Sequence, residues 1–392
     1  MVLYHFFGAS MFPRKTTLLA CLIGLSVHGL SGQQREILGQ DYSPSYNAPA
    51  AVAVSHKLTQ KWLAEESFFA DASFTYWYLS EEGLEIATNG VLNGSTLYYS
   101  TKTSSYFPSF NYEPGFKVGI GSIHANEWVS KAEYTWTHAH VGSSGLHSAS
   151  GGTLPAGSTT TTAGTSVFVV NDWFLQGSSS GQALAASSIS SHWTLNMNTL
   201  DLTAGRPWYQ GKSLILSAMG GLELAFISQE MKISLTEAAG QLTSLPSQPI
   251  DSRNHSNSWG IGLITGGECL RLLPWDFYIN GKGSLALLYT TYTSIKHSED
   301  IASTAFNPGP YKTSYKNYHA VRPSASLDLG LGWARYFCNN SCYLDLSLSY
   351  QFSIYWAQNM MRKLLDDTLV GISAAPADLF TQGLTLTAAI HF

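Results

Sequence analysis

The chain has 392 residues and a formal net charge of −5 at neutral pH, and only 12% of its residues are charged. Soluble globular proteins usually contain about 25% charged residues, so an ordinary water-exposed surface is poorly represented here. No continuous apolar run of about 18 residues is present, which argues against transmembrane helices, and no basic patch points to a nucleic-acid partner.

The N-terminal residues have the pattern of a secretory signal peptide. A basic pair at 14–15 precedes a short apolar stretch at 18–27, and small residues follow it. About ten apolar residues are too few to span a membrane as a helix. We therefore predict a signal peptide over residues 1–32, with Met11 as an alternative start. Residues 33–66 are then a periplasmic or lumenal segment of an exported protein.

From residue 67 onward, segments in which apolar and polar side chains alternate recur through the chain. Successive side chains of a strand point to opposite faces, so this pattern predicts strands with one apolar face. In Leu344 to Trp356, for example, the even positions are apolar and the odd positions include Asp345 and several serines. The predicted strands lie near 67–79, 84–91, 115–123, 127–138, 191–203, 212–235, 257–269, 275–293, 319–337, 342–357 and 380–392.

These segments predict an all-β fold, with residues 67–392 forming a single antiparallel transmembrane β-barrel. Bacterial outer-membrane barrels usually have an even number of strands. Because eleven segments are recognised, we expect one further strand within 45–66 and predict about twelve strands, with ten to fourteen as the range.

The connections between the predicted strands alternate between short and long. Short turns on the periplasmic side and long loops on the external side are typical of outer-membrane barrels. We therefore predict a long external loop at 139–190, which is rich in Ser, Thr and Gly. The predicted short connections lie near 80–83, 124–126, 204–211, 270–274 and 338–342.

Two cysteines flank one of the short connections. Cys338 and Cys342 are separated by Asn339-Asn340-Ser341 between two predicted strands. Residues that flank a tight hairpin lie opposite each other at a distance that suits a disulfide, and an exported protein meets an oxidising compartment. We predict a Cys338–Cys342 disulfide, with a pair of free thiols as the alternative.

The chain ends on an amphipathic strand with a terminal aromatic residue. Apolar side chains occupy alternate positions, including Leu384, Leu386, Ile390 and Phe392. This ending resembles the assembly signal of Gram-negative outer-membrane β-barrels. It implies an outer-membrane location, contact with outer-membrane lipid and recognition by the barrel-assembly machinery.

Several segments together resemble the Legionella-type major outer membrane protein family. The similar segments appear in the same order and include Pro114 to Gly121, Trp259 to Gly262, Ser284 to Tyr289, Tyr350 to Asn359 and Gly383 to Thr387. The likeness covers roughly 67–392. It implies a pore-forming outer-membrane barrel and supplies no catalytic residues.

Six charged residues alternate with apolar neighbours that are predicted to face lipid. If those neighbours face lipid, the charges face the interior, where they line water or pair with one another. Their mixed sign is compatible with a mildly selective pore and also with an internal ion-pair network that fills a narrow barrel. These candidate pore-lining residues are Lys117, Lys131, Glu133, Glu223, Asp328 and Asp345.

The pattern favours a porin-like pore for passive passage of small hydrophilic solutes or ions. The alternative is a structural or surface-interaction barrel with a closed lumen, whose loops contact host surfaces. No catalytic residues are recognised, so we do not predict an enzyme. No histidine or cysteine spacing is typical of a metal site, and passive transport requires no cofactor.

Overall fold

The computed structural model of the chain describes residues 67–93, 96–99, 104–124, 127–147, 165–170, 173–174, 185–210, 213–239, 250–300, 311–337, 342–368 and 376–392. The predicted signal peptide, the 33–66 segment, Cys338 and much of the 139–190 loop lie outside these ranges, so the predictions for them stay predictions. Among the described residues, no helix is long and apolar enough to cross a membrane.

Strands make up most of the described chain. In chain order the elements are β1 (Ser67–Glu81), β2 (Ala87–Asn93), β3 (Thr96–Tyr99), β4 (Ser105–Tyr106), β5 (Tyr112–Ile123), β6 (Val129–His147), β7 (Thr165–Val170), β8 (Ala185–Gln210), β9 (Leu214–Ala239), β10 (Ile250–Leu272), β11 (Phe277–Asp300), β12 (Tyr311–Tyr315), β13 (Tyr318–Phe337), β14 (Cys342–Asn359), α1 (Met360–Thr368) and β15 (Ala377–His391).

Ten of the described strands close into a barrel in which every neighbouring pair is antiparallel. The order around the barrel is β1, β5, β6, β8, β9, β10, β11, β13, β14 and β15, and β15 pairs again with β1. The predicted antiparallel β-barrel is therefore confirmed. The barrel has ten strands, the lower end of the predicted range. Ten is already an even number, so no further strand from residues 45–66 is needed to make it so.

The segment 84–91 is not a barrel strand, and its assignment as one was wrong. A turn at Gly83, which has a φ of 74°, follows β1, and β2 then pairs with β3, β4 and β7. The apolar residues of this segment, Leu84, Ile86 and Ala87, have no exposed surface. They fill the end of the barrel, so their apolar character reflects burial inside the molecule rather than a face toward lipid.

The two ends of the barrel differ. At one end, which we call the inner end, the turns 124–128, 211–213 and 273–276 are short, and Phe69 of β1 lies opposite His391 of β15. The other end, the outer end, carries β2–β4, β7, β12 and α1. The short connection at 80–83 lies at the outer end, because β1 runs from the inner end to the outer end. The prediction that it lies on the same side as the other short connections was wrong.

The polarity of the barrel wall reverses along its length. In the inner part of β9, Leu222 and Phe226 face outward and are 40% and 50% exposed, whereas Glu223 faces inward. Toward the outer end, Glu230 faces outward, whereas Met231 faces inward and is fully buried. An apolar outer face suits lipid, and an apolar inner face suits a protein surrounded by water.

The same reversal occurs on β6 and β8. On β6 the outward face changes from Tyr134 and Trp136 to His138 and His140. On β8 the inward face changes from Asp201 to apolar residues such as Leu195 and Trp193, which are fully buried. The apolar outer band of transmembrane barrels is about 25 Å tall. The outer parts of these long strands therefore stand beyond the membrane.

The strands β1 and β15 form a continuous seam. Their register extends from Phe69↔His391 to Glu81↔Leu379. Beyond it, the Phe68 and Phe392 backbones exchange two hydrogen bonds, each 3.0 Å from nitrogen to oxygen. The four residues of the predicted assembly signal all face outward and are about half exposed or more; they are Leu384 (49%), Leu386 (54%), Ile390 (51%) and Phe392 (66%). Their role in assembly stays a prediction.

Epitope tags test the orientation of the barrel in the membrane. A tag after Asn317, between β12 and β13, should be accessible to antibody on intact cells, whereas a tag after Asp276, in a short turn, should become accessible only after permeabilisation. Short turns of outer-membrane barrels face the periplasm. Both sites are turn residues with positive φ, so the tags are well matched. The opposite pattern of labelling would mean that the barrel is inverted.

Aspartate at Ile390 and Phe392 together should prevent most of the protein from inserting into the outer membrane. Both side chains face outward at the seam. Aspartate there removes apolar contacts with lipid and places a charge where water cannot solvate it. Heat-modifiable folded protein in outer-membrane fractions is the measurement. The control is Ser228→Asp, which places one such charge on the outward face of β9 toward the outer end, beside Glu230. Equal yields of folded protein from the double variant and the control would contradict the prediction.

Candidate functional site in the barrel interior

The inner part of the barrel contains a polar cavity. Its water-accessible volume is about 380 Å³, and we call it the polar chamber. Five carboxylates and three ammonium groups line it, which gives its wall a formal charge of −2. These charged residues are Asp71, Lys117, Lys131, Glu133, Asp201, Glu268, Lys282 and Asp328.

Strand register brings the charges on the first strands to one level of the wall. Across β1, β5 and β6, Asp71 lies opposite Gly119, and Gly119 lies opposite Glu133. Glu133 in turn lies opposite Asp201 of β8, and Asp201 lies opposite Glu223 of β9. Since side chains alternate along each strand, all these positions face the interior together. The result is a row of four carboxylates around one side of the barrel.

An ion-pair network neutralises the first half of this row. Lys131 Nζ lies 2.9 Å from Asp71 Oδ1 and 2.6 Å from Glu133 Oε2. Lys117 Nζ lies 3.6 Å from Glu133 Oε1, donates a hydrogen bond to Gln351 Oε1 at 2.7 Å and sits 5.2 Å from the centre of the Trp77 ring. Because hydrogen bonds accompany the charge contacts, this network fixes the wall of the chamber on the side of β1, β5 and β6.

Gly119 leaves the room that the network requires. A Cβ atom at this position would lie 2.5 Å from Asp71 Oδ1 and 2.7 Å from Lys131 Cε. Real Cβ atoms essentially never approach other atoms this closely, so any other residue would force the ends of the Asp71 and Lys131 side chains to shift. The absence of a side chain at Gly119 therefore gives the Asp71–Lys131 contact the room it has in this structure.

All six candidate pore-lining residues project into the interior. Lys117, Lys131 and Glu133 belong to the ion-pair network. The other three accept hydrogen bonds from neighbouring hydroxyl groups: Asp328 from Ser349 (2.8 Å), Asp345 from Tyr278 (2.6 Å) and Glu223 from Ser324 (3.4 Å). The structure thus combines both arrangements considered for these charges, since some are paired and others line a cavity. That they line a conducting path stays a prediction.

Four charged residues of the polar chamber were missed in the sequence. Asp71 and Asp201 do alternate with apolar neighbours, but Ala70 and Ala72 are small and weaken the pattern around Asp71. Lys282 stands between two glycines that face outward, so no apolar alternation marks it. Glu268 stands between Gly267 and Cys269, so no large apolar neighbours mark its position either.

The outer part of the barrel interior is closed by apolar side chains, which we call the apolar plug. Inward-facing residues of the strands supply much of it, and α1 and the segments at 84–87 and 173–174 supply the rest. These side chains are at most a few per cent exposed. Its largest members are Trp77, Leu79, Trp173, Phe174, Trp193, Leu195, Met231, Ile233, Leu235, Met361 and Leu365.

The helix α1 lies across the outer end with one apolar side buried. Met360, Met361, Leu364 and Leu365 are its buried residues. Asn359 caps the helix, because its Oδ1 accepts a hydrogen bond from Arg362 N at 3.3 Å. The same side chain donates to the carbonyl oxygen of Glu82 through Nδ2 at 2.9 Å, which ties the start of the helix to the turn after β1.

Charged and aromatic groups hold the other side of α1. The Arg362 guanidinium lies 5.5 Å from the centre of the Trp173 ring, and its Nε is 3.3 Å from Asp366 Oδ1. Tyr315 of β12 donates a hydrogen bond to Asp367 Oδ2 at 2.9 Å. Burial and this carboxylate raise the pKa of Tyr315 to about 12, so its hydroxyl remains a donor at neutral pH.

A buried polar group beside the plug contains a histidine that is fully engaged. His297 Nε2 is 2.7 Å from Glu299 Oε1, and His297 Nδ1 is 2.7 Å from Asn254 Oδ1. Asn254 Nδ2 donates to Ser252 Oγ at 3.1 Å. Since both ring nitrogens already have partners, this imidazole is not placed to act as a general base for a nearby serine.

Within the described ranges, no group of three or more His, Cys, Asp or Glu side chains is arranged to hold a metal ion. Cys342 begins β14, and Cys338 lies outside the described residues, so the disulfide between them stays a prediction. Cys269 lies on the outward face of β10.

The sequence matches the family of the Legionella pneumophila major outer membrane protein precursor over residues 65–392. The chain belongs to this family. The match covers the whole described barrel, and the protein is accordingly an outer-membrane barrel protein. A search of curated proteins found no match to the chain.

Solved structures with similarity to this member of the family include several outer-membrane barrels. The outer-membrane protease OmpT from Escherichia coli has 13% identity and a TM-score of 0.37, with 83% of this chain and 96% of that chain covered. A FadL homologue from Pseudomonas aeruginosa has 5% identity and a TM-score of 0.21, with 84% and 90% covered. The toluene transporter TodX from P. putida has 7% identity and a TM-score of 0.18, with 88% and 94% covered. Such low scores carry no argument about the activity of the Legionella-type barrel described above.

The substitution Gly119→Val should destabilise the barrel by about 1–3 kcal/mol, because the new side chain must displace the Asp71–Lys131 ion pair. Urea unfolding of the protein in lipid vesicles would measure the change. The control is Gly220→Val, because the nearest atom to a Cβ at Gly220 is Ile264 O at 3.8 Å. If both variants unfold at the same urea concentration as the wild-type protein, the tight fit at Gly119 is not needed.

Proposed function

We propose that this protein is an outer-membrane channel for small hydrophilic solutes and ions, with a preference for cations, and that the structure represents its closed state. The observation that carries this proposal is the polar chamber, a cavity of about 380 Å³ with a formal wall charge of −2. A barrel with only a structural role gains nothing from such a cavity, since unfilled polar interior weakens packing.

The charge of the chamber sets the expected selectivity. Carboxylates outnumber ammonium groups in its wall, so the local potential favours cations over anions. The ion-pair network on β1, β5 and β6 contributes little to this bias, because Lys131 neutralises Asp71 and Glu133 at short range. The bias comes mainly from the carboxylates outside the network.

The apolar plug must open before solutes can cross the outer end. Apolar constrictions stop conduction because water and ions do not enter them. α1 is the element of the plug that is held mainly by side-chain contacts, through Asn359, Arg362 and Asp367, rather than by strand pairing. Movement of α1 would withdraw Met361 and Leu365 from the plug and would be the first step in joining the chamber to the outside.

The second candidate is a structural or surface-interaction barrel with a closed lumen. The apolar plug favours this candidate, because the side chains across the outer end are packed with almost no exposed area. In that case the polar chamber is a closed cavity with no role in transport, and the elements at the outer end would make the contacts with host surfaces.

Planar-bilayer recordings of the purified protein distinguish the two candidates. A channel should conduct, and replacing Leu364 and Leu365 by serine should raise the fraction of time that it is open, because polar side chains weaken the plug. If neither the wild-type protein nor the folded double variant conducts, the channel proposal is wrong and the structural candidate is favoured.

Two substitutions in the chamber should change ion selectivity in opposite directions. Glu268 and Lys282 face each other on β10 and β11 and line the chamber. Glu268→Gln should weaken the cation preference and Lys282→Met should strengthen it, and both effects should shrink at high salt because mobile ions screen the wall. Reversal potentials in a salt gradient measure this.

The control for these substitutions is Glu230→Gln, which removes the same charge from the outward face of β9. It should leave the reversal potential unchanged. A shift in the same direction for Glu268→Gln and Lys282→Met, or an equal shift for the control, would show that the chamber does not set selectivity.

A further inference from the structure

Two carboxylates in the barrel interior are not neutralised by the ion-pair network. Asp201 and Glu223 lie directly opposite each other on β8 and β9. Side chains in such positions have Cβ atoms about 4.5–5.5 Å apart, so both carboxylates can contact the same small ligand.

The local contacts leave this pair uncompensated. Within the described residues, neither Asp201 nor Glu223 has a cationic partner within the 4.0 Å that defines the ion pairs given above. Glu223 is only 5% exposed. Ser324 donates a hydrogen bond to its Oε2 atom at 3.4 Å and the Tyr355 hydroxyl also contacts the carboxylate, whereas its Oε1 atom is buried with no hydrogen-bond partner in the described part of the chain. The same is true of Asp201 Oδ1. Three lysines of the wall, Lys117, Lys131 and Lys282, act on Asp201 only from beyond ion-pair distance. Lys117 donates a hydrogen bond to Gln351 at 2.7 Å.

Both carboxylates line one small cavity. It has a volume of about 50 Å³, and we call it the carboxylate pocket. Opposite the carboxylates, its wall contains hydroxyl groups of Ser324, Ser353 and Tyr355. Trp77 also lines it and belongs to the apolar plug, so the pocket lies where the polar interior meets the plug.

Glu223 is buried and Asp201 is partly buried. Two adjacent carboxylates in such surroundings are costly, and folded proteins offset the cost by pairing the charges or by binding a cation. We infer that Asp201 and Glu223 bind one monovalent alkali cation, with hydroxyl oxygens of the carboxylate pocket as further ligands. The donor set supports this assignment because hard cations prefer carboxylate and hydroxyl oxygens. The site is independent of whether the barrel conducts.

The size and charge of the pocket favour a monovalent over a divalent ion. Ca²⁺ takes about six to eight oxygen ligands, usually with several carboxylates, whereas this pocket supplies two carboxylates among mostly neutral groups. A volume of about 50 Å³ leaves room for a single small ion. Lys117 also lines the pocket and adds positive charge, which lowers the affinity for a divalent ion further.

Thermal unfolding in detergent micelles tests the proposal without any conductance measurement. Sodium chloride is exchanged for N-methylglucamine chloride at constant ionic strength and mildly alkaline pH. The midpoint of the wild-type protein should rise by about 2–4 °C for each tenfold increase in Na⁺ above the dissociation constant. The double variant Asp201→Asn/Glu223→Gln should show no such rise.

The control is Asp328→Asn, which removes an inward-facing carboxylate that accepts a hydrogen bond from Ser349, and it should retain the response to Na⁺. If the double variant fails to fold, the single variants Asp201→Asn and Glu223→Gln should each reduce the response, and sodium nuclear magnetic resonance should show less line broadening than with the wild-type protein. A wild-type midpoint that depends on pH but not on Na⁺ would mean that the pair shares a proton, which overturns the proposal. A response to Na⁺ that survives in the double variant would place the cation elsewhere and would also overturn it.

Discussion

The closure of ten strands by backbone hydrogen bonds is the constraint on which the rest of this molecule depends. Within a bilayer, an unpaired amide or carbonyl group has no water to bind, so a sheet can cross only if its two edges meet. Here they meet at the β1–β15 seam, where the pairing continues from Glu81↔Leu379 to the hydrogen bonds between Phe68 and Phe392. Closure of so few strands makes the barrel narrow, and a narrow barrel has to accommodate its inward side chains.

The chain meets that requirement in two ways along one set of strands. In the inner part, ionic and hydrogen-bonding side chains occupy the interior, with Lys131 held between Asp71 and Glu133. In the outer part, apolar side chains such as Trp193 and Met231 are packed as in a soluble protein. The difference follows from the surroundings. Lipid takes up the apolar side chains in the inner part, which leaves polar ones for the interior, whereas water around the outer part requires the opposite distribution.

Much of the barrel could be predicted from the sequence, and the failures have physical reasons. Alternation identifies β1, β5, β6, β8–β11 and β13–β15 because lipid and interior demand different side chains. Alternation does not say which face is inside, so the reversal of polarity on β9 and the apolar plug could not be recognised. Leu84 and Ile86 were assigned to a strand because a short apolar segment looks the same whether it packs in a core or faces lipid. The helix α1 was missed because it is short and lies within a connection.

The candidate site was predicted in part. The six residues chosen by alternation all face the interior, but Asp201 and Lys282 are as central and were not chosen. Which charges neutralise one another depends on register between strands that are distant in sequence, such as Asp71 with Gly119 and Glu133. Single-sequence patterns do not contain that register, so the paired and unpaired carboxylates could be distinguished only in three dimensions.

The reversal of polarity on β9 has a further consequence for how the protein is positioned. A shift of the barrel along the membrane normal by two or more residues of a strand would move Glu230 toward the hydrocarbon or, in the other direction, Phe226 into water. Either displacement is unfavourable, so the boundary between Phe226 and Glu230 fixes the depth at which the barrel sits in the membrane. The height at which the external elements stand above the bilayer is therefore set by the covalent sequence of the wall, and it should be the same in membranes of different lipid composition.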